Sequence, residues 1–201
     1  MASIVPRTGQ YTFDDFLVLI NPDEKADLLD GVIYMASPES TDDNELVAWL
    51  STLMVGFADE LELGKVFVTR VAFRITEKRG PEPDVAFVAK RRLRLVQRGF
   101  VNGPPDIAVE IVSPDSVERD YVTKRQVYEK AGVREYWIID PGKQAAAFLR
   151  RQRGKFQPMV LNGSIVESKV LPGFRFDVRW LWSKRRPSPF RVLRELLDQS
   201  R

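Results

Sequence analysis

The segment DIAVEIVSPDSVERDYVTKRQVYEKAGVREYWIIDP, Asp106 to Pro141, constrains the fold more than any other part of the chain. IAVEIVS and REYWIID are apolar runs of strand length, and the stretch between them has helical spacing. A strand, a helix and a second strand within about 35 residues form a right-handed crossover, which makes the two strands parallel neighbours in one sheet. Such strands are covered on both faces, so Ile107, Val109 and Ile111 alternate with Ala108 and Val112 rather than with polar residues. Glu110 breaks the pattern. An ionised carboxylate in a covered strand costs several kcal/mol unless a cation, a metal or a raised pKa compensates it. A salt bridge at the sheet edge and a functional acid are both open readings of Glu110.

Around this unit the sequence predicts an α/β (α+β) chain. Thr12 and Asp15 have capping-box spacing ahead of Phe16, Leu17 and Leu19, predicting a first helix that Pro22 helps to end. ADLLDGVIYMAS reads as a hairpin about Asp30-Gly31. Leu46, Leu50, Leu53, Phe57 and Leu61 recur at helical spacing from Thr41 to about Glu62, with Gly64 as the expected stop. KVFVTRVAFRI predicts one or two strands, VAFVAK another, and KRRLRLVQRGF a basic helix or loop. Asp115 and Glu118 have the spacing to cap the crossover helix. A hairpin about Gly154 and a last strand or turn in VLPGFRFDVRWLW follow. Trp49, Trp137 and Trp180 sit in apolar patterns and are expected in the core. The composition shift after Trp182 divides the chain into a domain over 1–183 and a basic extension over 184–201 with a short helix. That helix, around Phe190, Leu193, Leu196 and Leu197, either packs on its own domain or serves as a contact.

A second carboxylate changes the weight on Glu110. Asp84 follows Pro83 at the head of a strand, far enough from Glu110 in the chain for a neighbouring strand to bring the two acids together. Two acids forced close repel, and a divalent cation relieves the repulsion. A positive charge is available on the crossover helix. At 100° per residue, Val117, Tyr121, Lys124, Tyr128 and Ala131 form one stripe, which should face the sheet and carry the Lys124 ammonium inward. The other reading of Lys124 is an exposed i,i+4 pair with Asp120, worth a few tenths of a kcal/mol.

The absences narrow the chemistry further. The chain has neither cysteine nor histidine. Disulfides, thiolate sites, Ser-His-Asp triads and histidine-bound zinc are thereby excluded. Catalysis would have to use carboxylates, lysine, tyrosine or a hard metal ion held by oxygen. The absence of a signal-like N-terminus and of a membrane-spanning apolar run makes a soluble, cytoplasmic setting the expectation.

ADLLDGVIYMASP, EPDVAFV, PPDIAVEIVSPDS, DYVTKRQVYEKAGVREYWIIDP and VLPGFRF, in that order over about Thr12 to Trp182, resemble the Uma-two family of restriction-endonuclease-like proteins. That family lies in the PD-(D/E)XK nuclease superfamily, here in the variant whose lysine has moved from strand to helix. The resemblance implies a restriction endonuclease-like mixed β-sheet flanked by helices, with an N-terminal helix and β-hairpins. It also implies Asp84 and Glu110 as ligands of Mg2+ or Mn2+, Lys124 as the group that orients the attacking water, and Asp27 as a further catalytic acid near the metal. Two departures stand out: Asp27 replaces the glutamate usual in relatives, and Glu39 follows Ser37-Pro38 where relatives carry histidine. Gln126 could contact substrate or a metal-bound water, and Tyr128 is expected to do so or to pack.

The implied activity is metal-dependent hydrolysis of phosphodiester bonds in DNA. The alternatives are a nuclease-fold protein that binds or assembles without turnover, and a hydrolase of another phosphoester. With 31 Lys+Arg against 28 Asp+Glu, attraction to a polyanion must come from local clusters. Arg91, Arg92 and Arg94 form one, Arg151 and Arg153 another, and Lys184 to Arg186 a third. A homodimer would suit cleavage of both strands of a duplex.

Overall fold

The computed structural model describes residues 10–21, 23–38 and 40–199, so Pro22 and Glu39 lie outside the described residues. Along the chain run helix α1 (Phe13–Leu19), strands β1 (Ala26–Leu29) and β2 (Val32–Met35), and helix α2 (Thr41–Glu60). Strands β3 (Gly64–Val68), β4 (Ala72–Phe73), β5 (Val85–Ala89), β6 (Phe100–Val101) and β7 (Ile107–Ile111) lead to helix α3 (Arg125–Ala131). The chain then passes through β8 (Glu135–Asp140), β9 (Ala145–Gln152), β10 (Lys155–Pro158), β11 (Ile165–Glu167) and β12 (Arg175–Asp177) to helix α4 (Pro189–Asp198).

The central sheet has six strands in the order β10-β9-β8-β7-β5-β3. β7 and β8 pair in parallel, as the crossover requires, while β5 and β3 on one side and β9 and β10 on the other are antiparallel. The sheet is therefore mixed, with the strand of Glu110 at its centre. All five residues of β7 are buried, so the sheet-edge reading of Glu110 does not hold.

Strand alternation divides the core. Ile107, Val109, Ile111, Trp137, Ile139 and Phe148 join the cluster that packs under α2, whose Leu46, Leu50, Leu53 and Phe57 are fully buried. Val192 and Leu196 of α4 are buried in the same cluster. Ala108, Val112, Tyr136, Ile138 and Leu149 face the other way, against Tyr128 and Phe156. Glu110 belongs to this second face.

Several local expectations hold. Thr12 and Asp15 form the reciprocal capping box of α1. Asp30 and Gly31, with φ of 51° and 78°, make the turn between β1 and β2. Others are corrected. Helix α2 ends at Glu60, and the left-handed conformation falls to Glu62 instead of Gly64. Gly64 opens β3, where a Cβ would lie 2.1 Å from the Val88 carbonyl oxygen, so strand approach explains the glycine. Asp115 caps nothing as part of a box with Glu118. Its carboxylate accepts hydrogen bonds from the hydroxyls of Ser37 and Ser113, tying the loop after β7 to the chain after β2.

The crossover helix carries a π-helical stretch over Arg119–Lys124 ahead of α3. Its wider turn shifts the inward stripe. Asp120, Lys124, Val127 and Tyr128 are buried, while Val117 is exposed and Tyr121 is only partly covered. The uniform 100° step correctly turns Lys124 and Tyr128 inward, and the π stretch adds Asp120.

Candidate active site

The antiparallel register pairs Val85 with Val109. One step further along it, Asp84 stands opposite Glu110 on the same face of the sheet. The Asp84 Oδ2 accepts the Ile111 backbone N–H at 2.6 Å, and its Oδ1 meets the Lys25 ammonium. Asp27 comes from β1, the hairpin that closes over this end of the sheet. Its Oδ1 accepts the Glu82 backbone N–H at 2.9 Å, and a Glu82 carboxylate oxygen in turn accepts the Ala26 N–H at 3.1 Å, stapling hairpin to sheet.

Lys124 reaches in from the helix. Its Nζ lies 2.9 Å from Asp27 Oδ2, 2.9 Å from Glu110 Oε2 and 3.5 Å from Asp120 Oδ1. The other Glu110 oxygen accepts the Tyr128 hydroxyl at 2.8 Å. Lys124 and its three acid partners are each at least nine-tenths buried, so the exposed Asp120–Lys124 pair gives way to a buried network. These groups open onto a cavity of about 300 Å3, also lined by Ser37, Ser116 and Arg119.

The electrostatics follow from burial and crowding of like charges. Burial pushes Glu110 up to about 8, with Asp120, Asp84 and Asp27 pushing the same way and Lys124 pulling it down. Burial likewise raises Glu82 to about 7 and lifts Asp120 above the ordinary carboxylate range. For Lys124 burial acts downward, but Asp27, Glu110, Asp120 and Asp84 together hold the ammonium well above its usual value. Burial also holds the Tyr128 hydroxyl protonated, as a donor to Glu110.

The four acids Asp27, Asp84, Glu110 and Asp120 face the two ammonium groups Lys25 and Lys124, which leaves two negative charges when all are ionised. Asp120 Oδ1 is buried and receives no hydrogen bond. Hard oxygen donors, an excess of acids over ammonium groups and an under-used carboxylate oxygen fit a divalent cation. Among the described residues no three acidic groups form a ready cation cage, and ammonium groups stand on the oxygens of Asp84, Asp27 and Glu110.

The sequence does not single out Lys25 or Glu82, and it treats Asp120 only as a local partner of Lys124. Lys25 stands two residues before Asp27, a spacing that puts both on one side of an extended chain, whereas nothing in the sequence marks Glu82. Gln126 is exposed on the outer side of α3, away from the acids, whereas Tyr128 both packs and holds Glu110. Nor does the structure bring the basic clusters to this cavity. Asp84 precedes β5, and Arg91, Arg92 and Arg94 lie in the 3-10 turn that follows it, about 17 Å away at strand rise. Arg92 is bound there to the buried Asp106 at 3.1 Å. Arg151 and Arg153 sit at the same far end, beside the start of β8. Among the described residues the cations at the cavity are Lys25, Lys124 and Arg119.

The family model named Uma2 and described as "Putative restriction endonuclease" matches residues 13–179. The chain belongs to the Uma2 family. A solved Uma2-like structure, the crystal structure at 1.96 Å resolution of a "putative nuclease belonging to DUF820" from Anabaena variabilis ATCC 29413, matches with a TM-score of 0.71. It is 18% identical, covers 85% of this chain and 97% of that chain, and bears on the fold alone. No curated protein matches the chain. Uma2 membership supports a nuclease function with a nucleic-acid substrate, and restriction endonuclease-like families generally use divalent metals. No helix among the described residues is long and apolar enough to cross a membrane.

Proposed function

We propose that the protein is a metal-dependent endonuclease that hydrolyses phosphodiester bonds in DNA. The observation that carries this reading is the convergence of Asp84, Glu110, Asp27 and Lys124, from four separate segments, on one cavity with an excess of acids over ammonium groups. Asp84 and Glu110 are the groups that would hold Mg2+ or Mn2+. Bound there, such an ion supplies an activated water and neutralises phosphate charge.

The chain's own residues do the remaining work. Lys124 fixes positive charge beside Glu110 and Asp27, where negative charge grows on the phosphoryl oxygens and where a water would be oriented. Tyr128 holds one oxygen of Glu110, so the carboxylate presents a fixed edge to the cavity. Asp27 positions Lys124 from the side opposite the sheet. Glu110, with its tendency to keep a proton, would release it when a cation supplies the missing positive charge.

A second reading, a nuclease-fold protein that binds nucleic acid without turnover, is favoured by one observation: Lys25, Lys124, Tyr128 and the Ile111 N–H already engage the oxygens of Asp84 and Glu110. Nicking of supercoiled plasmid separates the two. The expected result is cleavage with Mg2+ or Mn2+ that is abolished by a chelator and by Glu110→Ala. DNA retention without cleavage, unaltered by Glu110→Ala, would establish the second reading instead.

A further inference from the structure

Asp84 has two oxygens with different fates. Oδ2 is turned into the sheet and takes the Ile111 N–H at 2.6 Å. Oδ1 faces the cavity, and the ammonium of Lys25 sits on it. A carboxylate so buried would otherwise carry an uncompensated charge. The second ammonium cannot serve it, because Lys124 is engaged by Asp27, Glu110 and Asp120 and its side chain is only 4% exposed.

Lys25 is built differently. Its side chain is 19% exposed and lines both the acid cavity and the adjoining groove, which Ser37, Thr69 and Arg70 also line. Its backbone is fixed, since its carbonyl accepts the Ala36 N–H at 2.9 Å. A flexible four-carbon stem on a fixed backbone can carry the charge from Asp84 into the groove without disturbing the hairpin.

We propose that Lys25 is a built-in competitor for the cation site: its ammonium neutralises Asp84 until a divalent cation displaces it into the neighbouring groove. The inference rests on reading Asp84 as a cation ligand. Competition of this kind lowers the affinity of the protein for free metal and avoids a bare buried acid in the metal-free state.

Mn2+ binding to the full chain, followed by electron paramagnetic resonance and calorimetry, tests it without any turnover. Lys25→Met should bind Mn2+ about tenfold more tightly than the native chain or better, within the usual range of coupled sites. Lys25→Arg, which keeps the cation, should bind as the native chain does. Arg119→Met is the control for general charge: Arg119 lines the same cavity but is directed to Asp115 and the Tyr34 ring, and its removal should change affinity little. Equal gains in Lys25→Met and Arg119→Met, or no gain in Lys25→Met, would overturn the inference while leaving Asp84 as a ligand. Should Lys25→Met fail to fold, Lys25→Gln carries the same expectation. Failure of Asp84→Ala to weaken Mn2+ binding, or absence of binding in every form, removes the ligand reading and the inference together.

Discussion

The two faces of β7 and β8 are built from alternate residues of the same strands, yet they solve opposite problems. The face under α2 meets Ile107, Val109, Ile111, Trp137 and Ile139 with Leu46, Leu50, Leu53 and Phe57, and the buried Glu135, which shares this face at its far end, is held by Ser168 and Arg150 away from the acid cavity. Its energy scales with the apolar area removed from water. The face under α3 is apolar only in part. Ala108, Tyr136 and Ile138 surround Glu110, whose oxygens are held by Lys124 and Tyr128, with Asp27, Asp84 and Asp120 close by. Here the strands supply an enclosure of low polarisability, and charges inside it interact far more strongly than in water. One face stabilises the fold, and the other keeps a cluster of acids desolvated at the expense of stability.

Removing the cation at the centre of the charged face should break the contrast most sharply. Lys124→Met leaves Asp27, Glu110 and Asp120 without their shared ammonium and should cost about 3–5 kcal/mol in urea unfolding, with plasmid nicking lost. A cavity on the apolar face should cost nearly as much and leave the site alone. Leu53→Ala, at a fully buried position of α2, is expected to lose about 3 kcal/mol while Mn2+ affinity stays at the native value. Equal damage to metal binding in both variants would mean that the two faces are not independent.

Acidity sharpens the comparison with a smaller effect. Glu110 and Glu82 are raised to about 8 and about 7, above the carboxyl value near 4.5 in the unfolded chain. Between those limits the native state binds more protons than the unfolded state, so the stability they contribute is full below about pH 4.5 and is lost as pH rises toward about 8. The melting temperature of metal-free protein should therefore fall by several degrees from about pH 5 to about pH 8. Glu110→Gln, which has no proton to lose, should flatten the fall. An unchanged slope in that variant would mean that Glu110 is not the group responsible.

The sequence by itself determined the frame of this molecule. The apolar runs about Glu110 and Trp137 and the helical segment between them require a parallel crossover, and the Asp30-Gly31 and Gly154 turns require their hairpins. These features are local, and their periods are written into neighbouring residues. A carboxylate in a covered strand also marked Glu110 as needing a partner, and the helical stripe turned Lys124 inward. What only the tertiary structure decided is which groups share the enclosed space. Lys25 is carried to the cavity from the residue before β1, Asp120 by a π-helical turn, while Glu82 is held against the Ala26 N–H and the arginines about Arg92 and Arg151 end at the far side of the sheet. Those placements depend on register and on strand direction over long separations in the chain. Charges feel one another through space, and no period in the sequence encodes that distance.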